Sequence, residues 1–176
     1  PIMLPLIMMI IVCCIISSFL TPYFWYYNLE ETSRFLSYFM VIFLLIAYCK
    51  TIRHIEFFLI TILIVTLLAS LYGILQIYNI DFIQWGMPTA PYVSTFGNQN
   101  FFAGYLVVAA PVCLGLIFAA KTPLFKITAL ITYLLAGFNI LYSGNRSAII
   151  AFTAQNVIFA ILSVRFGILN FCLKKK

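Results

Sequence analysis

Six apolar runs, each 15 to 22 residues long and none containing a charged side chain, partition this chain. They cover residues 2–20, 35–49, 57–78, 101–120, 127–142 and 148–164. Runs of this length match the roughly 20 residues a helix needs to cross a bilayer. Inside lipid, only a helix or a closed barrel satisfies its own backbone groups. A barrel would require alternating strands of about ten residues, and no such alternation is present. The two shorter runs gain length from neutral neighbours such as Ser33 and Ser143, with Arg34 and Lys50 snorkelling toward the interface. The expected architecture is all-α: a polytopic transmembrane helical bundle of about six spans, with residues 1–176 forming one transmembrane domain.

Composition closes off the other classes. The chain is 65% hydrophobic and 8% charged over 176 residues, whereas soluble domains carry about 25% charged residues. So few charges exclude a soluble globule, and so much hydrophobicity excludes disorder. The net charge of +6 does not point to nucleic acid, because basic residues on such a chain mark cytoplasmic loops. Eight of the ten Lys and Arg residues fall on one side of a six-span path: Lys50, Arg53, Lys121, Lys126, Arg165 and Lys174 to Lys176. The other side holds Arg34 and Arg146, with Glu30, Glu31 and Asp81. The positive-inside rule makes the first side cytoplasmic and places both ends of the chain there.

The outer loops are aromatic, with Tyr23 to Tyr27 in one and Trp85 and Tyr92 in another, as an interfacial belt would be. The five cysteines lie in or beside apolar stretches without metal spacing, and read as packing residues. The first apolar run has no basic leader and no small-residue cleavage site, so a removable signal peptide is not expected. A start at Pro1 rather than Met leads us to expect a piece of a longer protein.

Two constellations fall on the outer face. The first, Ser94-Thr95-Phe96-Gly97-Asn98-Gln99-Asn100, ends the long loop 79–100 and opens the fourth span. Asn98 or Asn100 can cap that helix, and Gly97 permits a turn that a side chain would block. The second, Tyr142-Ser143-Gly144-Asn145-Arg146-Ser147, is the turn before the sixth span, where Asn145 or Ser147 can cap. Arg146 then sits in a first helical turn, where the helix dipole disfavours a cation unless an anion is present. Each constellation reads either as a capped helix end or as part of a site for a phosphorylated headgroup. Arg146 itself reads either as a ligand for such a group or as an arginine reaching lipid phosphates.

Within the spans, Gln76, Asn139, Gln155 and Asn156 are expected to bond between helices, or else to line a passage. Ala69 with Gly73, and Gly115 with Ala119, have the spacing for close helix approach, and Pro111 is expected to kink the fourth span. His54 reads as a solvated loop histidine rather than a catalytic one, and Asp81 as a loop carboxylate rather than a base.

Taken together, Thr95-Phe96-Gly97-Asn98-Gln99-Asn100-Phe101-Phe102-Ala103-Gly104-Tyr105-Leu106 and the later Leu141-Tyr142-Ser143-Gly144-Asn145-Arg146-Ser147-Ala148 resemble the O-antigen ligase and polymerase family. The resemblance covers residues 95–150, about a third of the chain. It implies a membrane glycosyltransferase of the bacterial inner membrane that builds surface polysaccharide. Such an enzyme takes a glycan from a polyprenyl pyrophosphate carrier on the outer face and passes it to a lipid, polysaccharide or protein acceptor. No metal or soluble cofactor and no nucleic acid is implied. On this resemblance Arg146 holds the carrier's pyrophosphate and stabilises the leaving group. Gly97, Asn98, Asn100 and Ser147 shape the substrate entrance.

Two departures stand out. Asn145 interrupts the family's serine–arginine adjacency, and the outer-loop histidine that the family carries beyond this stretch has no counterpart here. The chain is therefore expected to be an N-terminal portion, inactive alone. A transporter would call for charged residues at membrane depth, and the spans contain none. A non-catalytic membrane subunit is the remaining alternative.

Overall fold

The computed structural model describes residues 25–82 and 92–166, with Val12, Cys13 and Ile16. Among the described residues there are five α-helices and no strand: α1 (Trp25–Tyr48), α2 (Ile52–Ile77), α3 (Gln99–Ala119), α4 (Pro123–Tyr142) and α5 (Arg146–Arg165). A 3-10 turn, Ser94–Phe96, precedes α3. Helices α2 to α5 are each long and apolar enough to cross a membrane. This is the fold of a helical membrane protein.

The third to sixth expected spans thus appear as α2 to α5. The second corresponds to α1, whose apolar part Leu36–Tyr48 is shorter than a full span. The first lies outside the described residues, apart from Val12, Cys13 and Ile16, which are helical. Cys14, Cys172, Trp85 and the terminal lysines also lie outside them.

Each helix starts ahead of its apolar run. α1 begins at Trp25 and carries Glu30, Glu31 and Arg34 in its first turns, where the sequence reading placed an outer loop. α2 starts at Ile52 and includes Arg53 and Glu56. α4 starts at Pro123, at a position where a missing N–H costs nothing, and runs through Lys126. Charged side chains do not end a helix when it reaches the polar interface, where their heads are solvated.

The chain divides into two compact units, Pro1–Glu56 and Phe57–Lys176. In the first, His54 is exposed and its Nδ1 lies 2.7 Å from the Tyr48 carbonyl oxygen, closing the turn between α1 and α2. In the second, the three-residue link Ala120–Lys121–Thr122 joins α3 to α4, and α3 packs against both α4 and α5. Pro111 lies inside α3, whose helix runs unbroken across it.

Packing follows the small residues. Ala69, Ala103, Ala136 and Ala148 are buried together around Phe102, Leu106 and Ile140. In lipid, apolar side chains gain nothing by leaving the tails, so association relies on close backbone approach and on interhelical hydrogen bonds. Ala69 and Gly73 make such an approach: a Cβ at Gly73 would fall 2.7 Å from Asn139 Oδ1. Gly115 and Ala119 do not, since nothing lies within 4 Å of the Cβ direction at Gly115 and Ala119 is exposed.

The expected polar ties between helices are present in part. Tyr133 donates to Asn156 Oδ1, linking α4 to α5. The hydroxyls of Thr66 and Tyr105 meet at 2.9 Å, linking α2 to α3. Gln155 Nε2 is buried with no hydrogen-bond partner among the described residues. Of the four long apolar helices α5 is the least enclosed, with only Ala148 and Ser163 buried.

Candidate functional site

The end of α2, the start of α3, the end of α4 and the start of α5 meet at one end of the second unit. The chain reaches α3 through a left-handed turn at Gly97 (φ +66°). Asn98 then takes an extended backbone, and its Oδ1 accepts from Asn100 N at 2.8 Å. Its carbonyl accepts the first helical bond, from Phe102 N at 3.0 Å. Of the two asparagines able to cap, Asn98 is the one that does.

The start of α5 repeats the device. Gly144 is left-handed (φ +64°), and Asn145 Oδ1 accepts from Ala148 N at 3.1 Å. Asn145 is therefore the N-cap of α5. Ser147 is not the cap; it lies in the first turn, exposed.

The two helix starts are bonded to each other. Asn145 Nδ2 donates to Asn100 Oδ1 at 2.9 Å, and Gln99 Nε2 donates to the Ser143 carbonyl. The amides of Gln99, Phe101, Arg146 and Ser147 belong to the first turns, which have no intrahelical acceptor. Two positive dipole ends thus open side by side. Gly97, Asn98, Asn100, Arg146 and Ser147 are all exposed. Among the described residues, Arg146 makes no ion pair or side-chain hydrogen bond. It follows directly on the bridging Asn145.

Beneath this surface lies a buried polar layer. Tyr92, 3% exposed, donates to Asn139 Oδ1 at 2.5 Å and contacts the Asn139 carbonyl at 2.9 Å. Burial, and secondly the neighbouring Tyr142, push its ionisation well above the ordinary tyrosine range, so Tyr92 remains a donor. Asn139 Nδ2 in turn donates to the Ser70 carbonyl at 3.2 Å and the Leu135 carbonyl at 2.7 Å. Gln76 Oε1 accepts from Val93 N at 3.0 Å and Ser94 N at 2.7 Å. Gln76 Nε2 donates to Asp81 Oδ2 at 3.0 Å, and Tyr72 donates to Asp81 Oδ1 at 2.5 Å. Asp81 is therefore a loop carboxylate tied to the end of α2.

Three residues of this arrangement carry more than the sequence reading gave them. In the sequence Gln99 is one letter of a motif, Tyr92 an aromatic of the belt, and Asn145 one of two candidate caps. Asn145 is the cap, and its bridge to Asn100, 45 positions away, has no local signal. Nothing local marks Tyr92, whose partner lies 47 positions away.

Chemically, the surface offers unpaired amides and one guanidinium, a set suited to an anion with several oxygens. Among the described residues no three His, Cys, Asp or Glu side chains cluster to hold a metal. Comparison with protein-family models, with curated proteins and with solved structures finds no match for this chain.

Proposed function

We propose that this chain belongs to a membrane glycosyltransferase of the O-antigen ligase or polymerase type. It acts on a glycan carried by a polyprenyl pyrophosphate at the outer face of a bacterial inner membrane, for surface polysaccharide. The chain crosses the membrane six times with both ends cytoplasmic, so the starts of α3 and α5 face outward. The acceptor is a lipid, a polysaccharide or a protein hydroxyl.

One observation carries most weight: the Asn145–Asn100 hydrogen bond, 2.9 Å long, sets two helix N-termini beside each other with exposed Arg146 in the first turn of one. A cation there opposes the helix dipole, and a pyrophosphate lying across both helix ends reverses the sign of that interaction. In this reading the guanidinium forks onto the diphosphate and takes up the charge that develops as the glycosidic C–O bond to the carrier breaks. Gly97, Asn98 and Asn100 hold one wall of the entrance, and Ser147 lies on the other.

Replacing Arg146 by alanine in the full-length protein tests the reading. Loss of a preorganised donor to a developing anion costs about 10²–10³ in rate, so glycan transfer falls by at least that factor while membrane insertion is unchanged. Equal surface glycan in Arg146→Ala and wild type would overturn it.

A further inference from the structure

We infer that Gln76 is a positioning residue for the outer site: its side chain fixes where the start of α3 stands, without itself touching substrate. Gln76 is 3% exposed, on the last full turn of α2, and its one carbonyl oxygen accepts from two consecutive amides, those of Val93 and Ser94. Its amide group is itself held by Asp81, so the carbonyl points one way only. Ser94 carries a strained left-handed backbone (φ +49°) and is held there by a second bond, from its Oγ to the Ala69 carbonyl at 2.8 Å. A non-glycine residue keeps such a conformation only where its surroundings over-determine it. Here the surroundings are α2.

From that clamp to Asn98 the chain has no slack. Residues Ser94–Phe96 form a 3-10 turn, and the Phe96 ring packs on Phe102 and Tyr105 of α3, with centroids 5.6 and 4.8 Å away. The turn and the first two turns of α3 therefore move as one piece. Cutting the Gln76 bonds leaves two buried amides without an acceptor and loosens that piece on α2, where the bonds from Ser94 Oγ to Ala69 and between Tyr105 and Thr66 are left, while the links to the start of α5 through Asn100 and to the end of α4 through Gln99 are untouched. The pair of helix starts is then held less firmly on its α2 side.

The role assigned to Gln76 rests on the pyrophosphate reading of this site. Its test uses the chain in lipid nanodiscs, titrated with farnesyl pyrophosphate and with farnesyl monophosphate. Wild type prefers the pyrophosphate. Gln76→Leu remains inserted and monodisperse but loses about tenfold of that preference, the equivalent of one hydrogen bond's net contribution. The double substitution Gln76→Glu with Asp81→Asn exchanges donor and acceptor along the bond between these two residues. The new carboxylate accepts from both amides and from the new amide at position 81, while Tyr72 still donates. This variant recovers the preference to within about twofold. A general loss of structure would weaken both ligands alike and would not be repaired by that exchange.

If Gln76→Leu does not insert, Gln76→Asn carries the same expectation, being too short to reach Asp81 and both amides together. Preference undiminished in Gln76→Leu, but abolished in Arg146→Ala, overturns the role of Gln76 and leaves the site standing. Failure of the double substitution to recover overturns it as well. No preference in wild type overturns the pyrophosphate reading and the role of Gln76 with it.

Discussion

At Gly73 a methyl group has no room. Its Cβ would stand 2.7 Å from Asn139 Oδ1 and 2.9 Å from Phe102 Cε1, and both neighbours are fully buried. Asn139 cannot swing aside without giving up Tyr92 on its oxygen and Ser70 on its nitrogen. Gly73→Ala is therefore expected to destabilise the bundle by about 1–3 kcal/mol, the usual cost of overpacking. Gly104, on α3, is the control, because nothing lies within 4 Å of a Cβ there. Gly104→Ala should stabilise by about 0.5–1 kcal/mol, through the smaller entropy loss of alanine in a helix interior. Thermal unfolding in detergent should give the two substitutions opposite signs. Equal effects would mean that α2 and α4 do not approach as closely as described.

For the helices as elements, the starts of α3 and α5 are built alike: a left-handed glycine, an asparagine cap, then a first turn with open amides. At Gly97 and Gly144 the space around a Cβ is empty, so the glycine requirement is entirely one of backbone. Gly144→Ala should cost about 1–2 kcal/mol, the penalty of the left-handed conformation for an L-residue, and Gly144→Asn should recover much of it. The melting temperatures of the two variants check this, and alanine equalling asparagine would remove the backbone explanation.

This repeated device was legible in the sequence as Gly-Asn before an apolar run. Which asparagine caps was less so: Asn98 does, from an extended backbone, whereas Asn100 is already helical and its side chain meets Asn145, 45 positions away. Apolar runs located the middles of α2 to α5 because lipid tolerates nothing else there. They missed the ends because helix geometry continues into the interface through Arg53, Lys126 and Arg146, where hydropathy has already changed sign. Close approach at Gly73 and its absence at Gly115 follow the same small-residue spacing. Only the neighbouring helix distinguishes them.

On the scale of the molecule, the charge asymmetry makes a prediction independent of any chemistry. The link at Lys121–Thr122 should be cytoplasmic and the turn at Gly144 outside. Green fluorescent protein fused after Thr122 should then fluoresce, and alkaline phosphatase fused after Gly144 should be active; the reverse pattern would invert the bundle and turn the Arg146 surface inward. The polar residues at depth also bear on how these helices behave mechanically. In lipid no hydrophobic force opposes one helix pistoning along another. Asn139 fits the notch left by Gly73 while bonded to Ser70 and to Tyr92. Sliding α2 by a single residue, about 1.5 Å, would drive that amide into a side chain and strain the bond to Ser70. The notch acts as a detent. A change in bilayer thickness must therefore be met by tilting α2 and α4 as one rigid pair, with the ends beneath the Arg146 surface carried along together.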